Sequence, residues 1–459
     1  MQQDGLVGPR AGPARHRTPS GHHFRGGHAA HRRRAARLWR IRPKRATVRI
    51  PLVYRIPDPS PGGSGPVLPP GPSDTAATAM GLLRLLLALA VVADHAGPAF
   101  GWNWLRMTNA PLAVQTFYVV SGFYMALVLN EKYTGPGAYA AFAQNRLLRL
   151  LPMYFVVLLL TVLGGLLLHH LAFGTIAPLR PWFAHGDALP WAERLCLLLP
   201  NVTLVGQDLL SWCAVDPATH QLYFTADFHR EPLPAWHFLF VPQAWTVALE
   251  LSFYAVAPLL VRRHAGVVLA LVALSLALRV WLMTTFAVKG DPWSYRLFPT
   301  ELALFLAGAF AFRLHGWLRQ RGWLGAVVCR LVLAATLLTV LGYQSLPKSI
   351  YWLRPFGLPI VLALVPLAVP FVFEATRRSR WDRALGELSY PSYLVHYLLL
   401  FVVEASGVAW LLAHQGAVVA GATLLCAWLL WRAVGRPLEL RRQRIGARMG
   451  RLQPAVPAT

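Results

Sequence analysis

Arg84 and His95 share one apolar run of this chain, Glu250 lies in another, and Arg146 and Arg149 open a third. Ionisable groups in such runs are costly to bury, so each is a candidate for function. Arg84 and His95 are eleven positions apart, about 1100° of helix; that leaves them within roughly 20° of one face and about 16 Å apart along the axis. A neutral histidine is the usual general base for a hydroxyl. The plainer readings are a snorkelling anchor for Arg84 and an interhelical hydrogen bond for His95. Asp94 points about 100° away from His95 and is a poor partner for it. Glu250 must be paired or protonated. It is either half of a structural ion pair or the carboxylate that orients His95, which stands at comparable depth. Arg146 and Arg149, three apart, share a face. Paired guanidinium groups suit phosphate, although ordinary loop basicity gives the same pattern. Ser389, Tyr390, Ser392, Tyr393 and His396 put hydroxyls and an imidazole at one end of a late run. They fit either a polar cofactor pocket, with His396 about two turns in from the edge, or interhelical hydrogen bonding.

The elements that position these residues follow from composition. The chain is 56% hydrophobic and only 14% charged, where soluble chains are roughly a quarter charged. Its apolar residues fall in blocks of roughly 20, the length that crosses a hydrocarbon layer of about 30 Å. Unbroken apolar runs read as helices, not barrel strands. The expected fold is an all-α integral membrane protein of about ten transmembrane helices, near 81–100, 111–129, 147–168, 245–261, 265–288, 298–314, 323–343, 355–373, 389–412 and 416–434. With residue 80 in the cytoplasm, Arg146, Arg149, Arg262, Arg263, Arg313, Arg319, Arg321, Arg377, Arg378, Arg380 and Arg383 all fall inside. The short outer loops then hold only Arg106, Lys289 with Arg296, and Lys348 with Arg354. Both termini are therefore expected to be cytoplasmic.

Three regions result. Residues 1–79 carry 14 Lys/Arg against three acids, +11 of the total +25, and are rich in Pro and Gly. They read as a disordered basic tail, with Met80 a candidate true start. Residues 80–436 form the membrane domain, with a long outer segment over 169–244, and 437–459 form a basic cytoplasmic tail. The outer segment holds an apolar stretch, Leu195–Val205, too short to span and suited to a re-entrant or interfacial position. It also holds the sequon Asn201-Val202-Thr203, which reads as chance. The charge sits on tails and loops, so nucleic acid is not an expected partner. The four cysteines show no CxxC spacing, and no metal site is expected. A disulfide between Cys196 and Cys213 is left open by their shared loop.

In order along 80–430, five segments resemble the acyltransferase-3 family of integral membrane acyltransferases. They are "RLLLALAVVADH", "FYVVSGFYMAL", "RLLRLLPMYF", "AWTVALELSFYAVAPLL" and "LSYPSYLVHY". Gln115 stands where that family often has Asp, and the segment 169–244 finds no counterpart. The resemblance implies transfer of an acyl group, usually acetyl, from acyl-CoA to a hydroxyl of a carbohydrate, lipid-linked glycan or similar acceptor. It places the protein in the cell membrane, in a bacterium the inner membrane. The roles then expected are catalysis by His95, Glu250 and Arg84, and acyl-CoA contacts from Arg146, Arg149, Ser389, Tyr390 and His396. Ser121 and Trp245 are expected to contact substrate. A transporter or flippase for a glycan or acylated substrate is the alternative, because ionisable residues in spans also line transport paths.

Overall fold

Each apolar block becomes a helix because the backbone of a lipid-immersed segment has to satisfy its own hydrogen bonds. A computed structural model describes residues 79–98, 107–171, 174–285, 290–345 and 354–451. The expectations for the basic tail up to residue 78 and for 452–459 lie outside these. The long helices are α1 (Gly81–Ala96), α2 (Ala110–Glu131) and α3 (Ala138–His170). Two short ones follow, α4 (Arg180–His185) and α5 (Trp191–Thr203), then α6 (Trp245–Leu260), α7 (Ala265–Thr285) and α8 (Phe298–Gln320). The chain continues through α9 (Ala326–Gly342), α10 (Arg354–Thr376), α11 (Arg380–Ser406), the short α12 (Ala409–Ala413), α13 (Gln415–Leu430) and α14 (Arg436–Arg451).

A helix stands at each expected span. Eight of them, among the described residues, are long and apolar enough to cross a bilayer, two fewer than the expected ten. The other two, α1 and α6, have 16 residues each, short of the roughly 20 needed. They are the helices that carry Arg84, His95 and Glu250. The tail expected from residue 437 is helical as α14. Arg442 ties it to α3, donating from Nε to Asn145 Oδ1 at 3.2 Å and accepting from Asn145 Nδ2 at its carbonyl at 3.3 Å.

Central helix α2 is covered on nearly every side, while α7 and α9 turn Leu274, Val280, Trp281, Val327, Leu331 and Leu338 outward. Those are lipid-facing surfaces, since apolar side chains gain nothing by leaving hydrocarbon. Helices α2 and α8 meet backbone to backbone. A Cβ on Gly122 would lie 1.8 Å from the Phe305 carbonyl oxygen, and one on Gly308 would lie 1.9 Å from that of Val119. Gly122→Val is therefore expected to lower thermal stability, because overpacking costs about 1–3 kcal/mol and here strikes backbone. A melting temperature equal to wild type in detergent would show that α2 and α8 can separate freely.

The α1–α11 pair sets the site. Asp382 of α11 accepts from the N–H groups of Gly81 and Leu82 at 2.7 and 2.9 Å. This carboxylate satisfies donors that a helix start leaves open and complements its dipole. Fourteen residues later on both helices, His95 meets His396. The offset of 301 at both ends means that α1 and α11 run parallel and in register.

The segment between α3 and α6 folds around its own small apolar cluster, which includes Leu197, Leu210, Val215, Phe238 and Leu239. It carries one antiparallel hairpin, β1 (Cys213–Val215) with β2 (Leu222–Phe224), pairing Ala214 with Tyr223. The apolar stretch 195–205 is largely α5, which exposes Leu195, Leu199 and Val202. Asn201 is buried, donating to the carbonyls of Leu197 and Phe238 and accepting from Phe240 N–H. Its amide is thus a structural staple, not an available sequon. All four cysteines are free thiols, so Cys196 and Cys213 are not joined.

Candidate active site

Two cavities lie side by side among these helices. The first is lined by Arg84 of α1, by Arg146 and Arg149 of α3, and by Glu250 and Tyr254 of α6. Ser121 and Tyr124 of α2 and Ser389, Tyr390 and Tyr393 of α11 complete its polar wall. Its empty volume is about 810 Å³ including the mouth, within the range that takes a small ligand. Helical spacing converges these groups: Arg146 with Arg149, and Glu250 with Tyr254, each stand one turn apart. Glu250 Oε1 accepts from Ser121 Oγ at 2.7 Å and from the Tyr254 hydroxyl at 2.5 Å. Tyr390 donates to the Leu150 carbonyl and Ser389 to that of Gly386.

The charge of this cavity is unbalanced, with three guanidinium groups facing one carboxylate. Arg84 Nε and Nη2 and Arg146 Nε are buried with no hydrogen-bond partner. No described carboxylate forms an ion pair with any of the three. Asp382 is taken up by the start of α1. Buried N–H groups left unpaired cost about 1–3 kcal/mol each, and a phosphate would satisfy them with charge-assisted bonds.

The second cavity holds His95, with an empty volume of about 710 Å³. Its walls come from α1 (Val91, Asp94, His95), from the start of α2, and from Trp236, Gln243 and Trp245. Asp291, Tyr295 and Arg296, just before α8, and Tyr393 and Tyr397 of α11 close it. His95 is not sunk in an apolar interior as expected; it ends α1 exposed to the cavity. Its partner is His396 and not Glu250, which belongs to the other cavity. His396 Nδ1 lies 2.8 Å from the Tyr393 carbonyl. A carbonyl only accepts, so Nδ1 carries the proton and Nε2 is the acceptor. His95 Nδ1–H donates to that Nε2 at 3.3 Å, leaving His95 Nε2 with its lone pair free. Tyr397 packs on the His95 ring, centroids 4.7 Å apart.

His396 therefore does not stand where a cofactor near the membrane edge would need it. Helix α11 begins at Arg380, nine residues before the span expected from hydropathy. His396 is sixteen positions in, about 24 Å from the helix start, fully buried and with both ring nitrogens engaged. Arg84 likewise is grouped with Arg146 and Arg149 and not with His95. Asp94 caps the start of α2, accepting from Ala110 N–H at 3.0 Å; no hydrogen bond joins it to His95 among the described residues, so its influence on the imidazole is by charge alone.

Val114 and Tyr393 line both cavities. The Tyr393 hydroxyl bonds Thr246 Oγ1 at 2.8 Å and the Gln243 carbonyl at 3.1 Å, so the partition is a hydrogen-bonded one. Ser121 stands in the arginine cavity and Trp245 in the histidine cavity. Among residues not singled out from sequence, Arg296 is pinned by Asp291, Nε to Oδ1 at 2.6 Å and Nη2 to Oδ2 at 2.9 Å. Its guanidinium lies 4.4 Å from the Trp245 ring centroid and 5.3 Å from that of Phe228. The available signal was Arg296 itself, a basic residue in a short loop that should carry few. Burial pushes the neighbouring Tyr295 hydroxyl well above the usual phenol range, so it is neutral. Among the described residues no group of three His, Cys, Asp or Glu could hold a metal ion.

No curated protein and no solved structure matches this chain. Residues 78–432 match the family model described as an acyltransferase domain. That match takes in both cavities and every helix from α1 to α13, so the chain belongs to the acyltransferase-3 family of integral membrane acyltransferases.

Proposed function

We propose that this protein is a membrane O-acyltransferase of the bacterial inner membrane. It takes an acyl group, acetyl in the simplest case, from acyl-CoA and passes it to a hydroxyl of a carbohydrate or other cell-envelope acceptor. The observation that carries this reading is the pairing of the cavities. One presents unpartnered buried guanidinium N–H groups, the other a histidine with a fixed tautomer and a free lone pair, and they share Val114 and Tyr393. With the basic loops inside, Arg84, Arg146 and Arg149 receive the phosphates of acyl-CoA from the cytoplasmic side. The thioester arm lies toward Tyr393, and the acceptor enters the cavity of His95 from the outer side. His95 Nε2 takes the acceptor's hydroxyl proton as the oxygen attacks the thioester carbon. The proton then leaves with the thiolate as the carbon–sulfur bond breaks.

Purified protein in nanodiscs, given radiolabelled acetyl-CoA with the p-nitrophenyl glycosides of glucose, galactose, rhamnose and N-acetylglucosamine, tests the reaction. Labelled glycoside and free thiol are expected in equal amounts. Absence of thiol release with every glycoside and with water would favour transport instead. Donor binding has its own test. Arg146→Ala and Arg149→Ala are each expected to raise the KM for acetyl-CoA about ten- to a hundredfold, since a charge-assisted contact is worth about 1.5–3 kcal/mol. Lysine should restore only part of this, lacking the bidentate fork. An unchanged KM in both alanine variants would reduce the two arginines to loop charges.

A further inference from the structure

The cavity of His95 contains one basic side chain other than histidine among its described lining, Arg296. Several features fix its position. Asp291 grips Nε and Nη2 in a two-point ion pair at 2.6 and 2.9 Å. The guanidinium also lies against the rings of Trp245 and Phe228, the second of which comes from the segment between α3 and α6. That segment is fastened to the same loop by Trp293 Nε1, which donates to the Ala226 carbonyl at 2.8 Å, and by the edge-to-face contact of Trp212 with Trp293. Arg296 Nη1 has no protein acceptor among the described residues. A cation held on one edge and unpaired on the other among the described residues is a preorganised donor.

Acyl transfer needs such a donor in this cavity. When the acceptor oxygen bonds to the thioester carbon, the carbonyl π pair moves onto oxygen, and that oxygen becomes negative until the carbon–sulfur bond breaks. No other group in the lining offers a fixed full positive charge. Asp94 and Asp291 are acceptors, one Gln243 Nε2–H is taken by the Leu394 carbonyl at 2.5 Å, and His95 is committed through Nδ1 to His396; Trp236 Nε1, buried without a partner, and the hydroxyls of Tyr295 and Tyr397 are neutral donors, weaker toward a developing anion than a cation is. We propose that Arg296, held by Asp291, is the electrostatic stabiliser of the transferring acyl oxygen. Arg296 Nη1–H donates to the carbonyl oxygen as it gains charge, His95 Nε2 holds the acceptor's proton, and collapse returns the C=O while the thiolate departs with that proton. This rests on the acyl-transfer reading above and adds a residue to it.

The test uses full-length protein in nanodiscs, acetyl-CoA, and the p-nitrophenyl glycoside that supports the fastest turnover. Arg296→Ala is expected to lower kcat about a hundredfold, as loss of one oxyanion donor does. The KM for acetyl-CoA and the calorimetric Kd for the glycoside in the absence of donor should stay within about threefold. Arg296→Lys keeps the charge without the fork to Asp291 and should recover part of kcat. Asp291→Asn loosens the grip and should lower kcat with unchanged glycoside affinity, which also serves if Arg296→Ala does not purify as a folded protein. A normal kcat in Arg296→Lys and Asp291→Asn together overturns the assignment. A glycoside Kd raised tenfold at unchanged kcat overturns it too, making Arg296 an acceptor-binding group. If the wild type releases no thiol at all, the acyl-transfer reading fails and this role fails with it. A wild type that turns over beside an Arg296→Ala variant of equal kcat removes only the role of Arg296.

Discussion

Replacing His95 with alanine is expected to lower acyl transfer about 10²–10⁴-fold, the usual contribution of a general base. The donor KM should change little, because the guanidinium groups that would hold the donor line the other cavity. The protein should remain folded. His95 ends α1 exposed to a cavity, and its removal leaves one acceptor, His396 Nε2, open to water entering that cavity. Initial rates of thiol release from acetyl-CoA, set against monodispersity in gel filtration, are the measurement. A folded His95→Ala protein with near-normal rate would remove the chemical assignment of this residue, whatever the family.

His396→Phe is expected to lower kcat by up to about 10⁴, the loss seen when a catalytic histidine is left in the wrong tautomer. Phenylalanine fills the buried space but accepts nothing from His95 Nδ1–H. His95 can then place its proton on Nε2, where it cannot take another. Because the two rings act as one unit, the double variant His95→Ala/His396→Phe should be no slower than His95→Ala alone. A double variant slower by the full product of the single effects would mean that His396 acts through some other route. His396→Gln supplies an amide oxygen at similar reach, and partial recovery relative to phenylalanine would point to the hydrogen bond and not to packing.

The family and the helical membrane architecture were readable from five short segments and from the spacing of apolar blocks, since both depend on local pattern. Pairing across helices was not. Comparable depth pairs Glu250 with His95, but depth does not say which neighbour a helix packs against. The side chain of Glu250 instead meets Ser121 and Tyr254. Hydropathy sets His396 near a membrane edge because the polar stretch Arg380–Glu387 hides the true start of α11. Arg84 and His95 line different cavities, for about 16 Å of helix separates them. Nothing local marks Arg296 as a site residue, since its partners Trp245 and Phe228 come from distant parts of the chain.

The common register of α1 and α11 has a consequence for how such a chain can change over time. One inserted residue between Arg84 and His95 would swing the imidazole by about 100° and carry it 1.5 Å along the axis. The carboxylate cap on Gly81 would stay in place while the two rings parted. A matching insertion in α11 would be needed at the same moment, and it would move His396 away from Tyr393's place in the partition. The two helices are thus locked in length to each other, like two rails bolted at both ends. Variation that retunes the acceptor has its freedom elsewhere, in the folded segment between α3 and α6, where residues can be added without shifting either histidine.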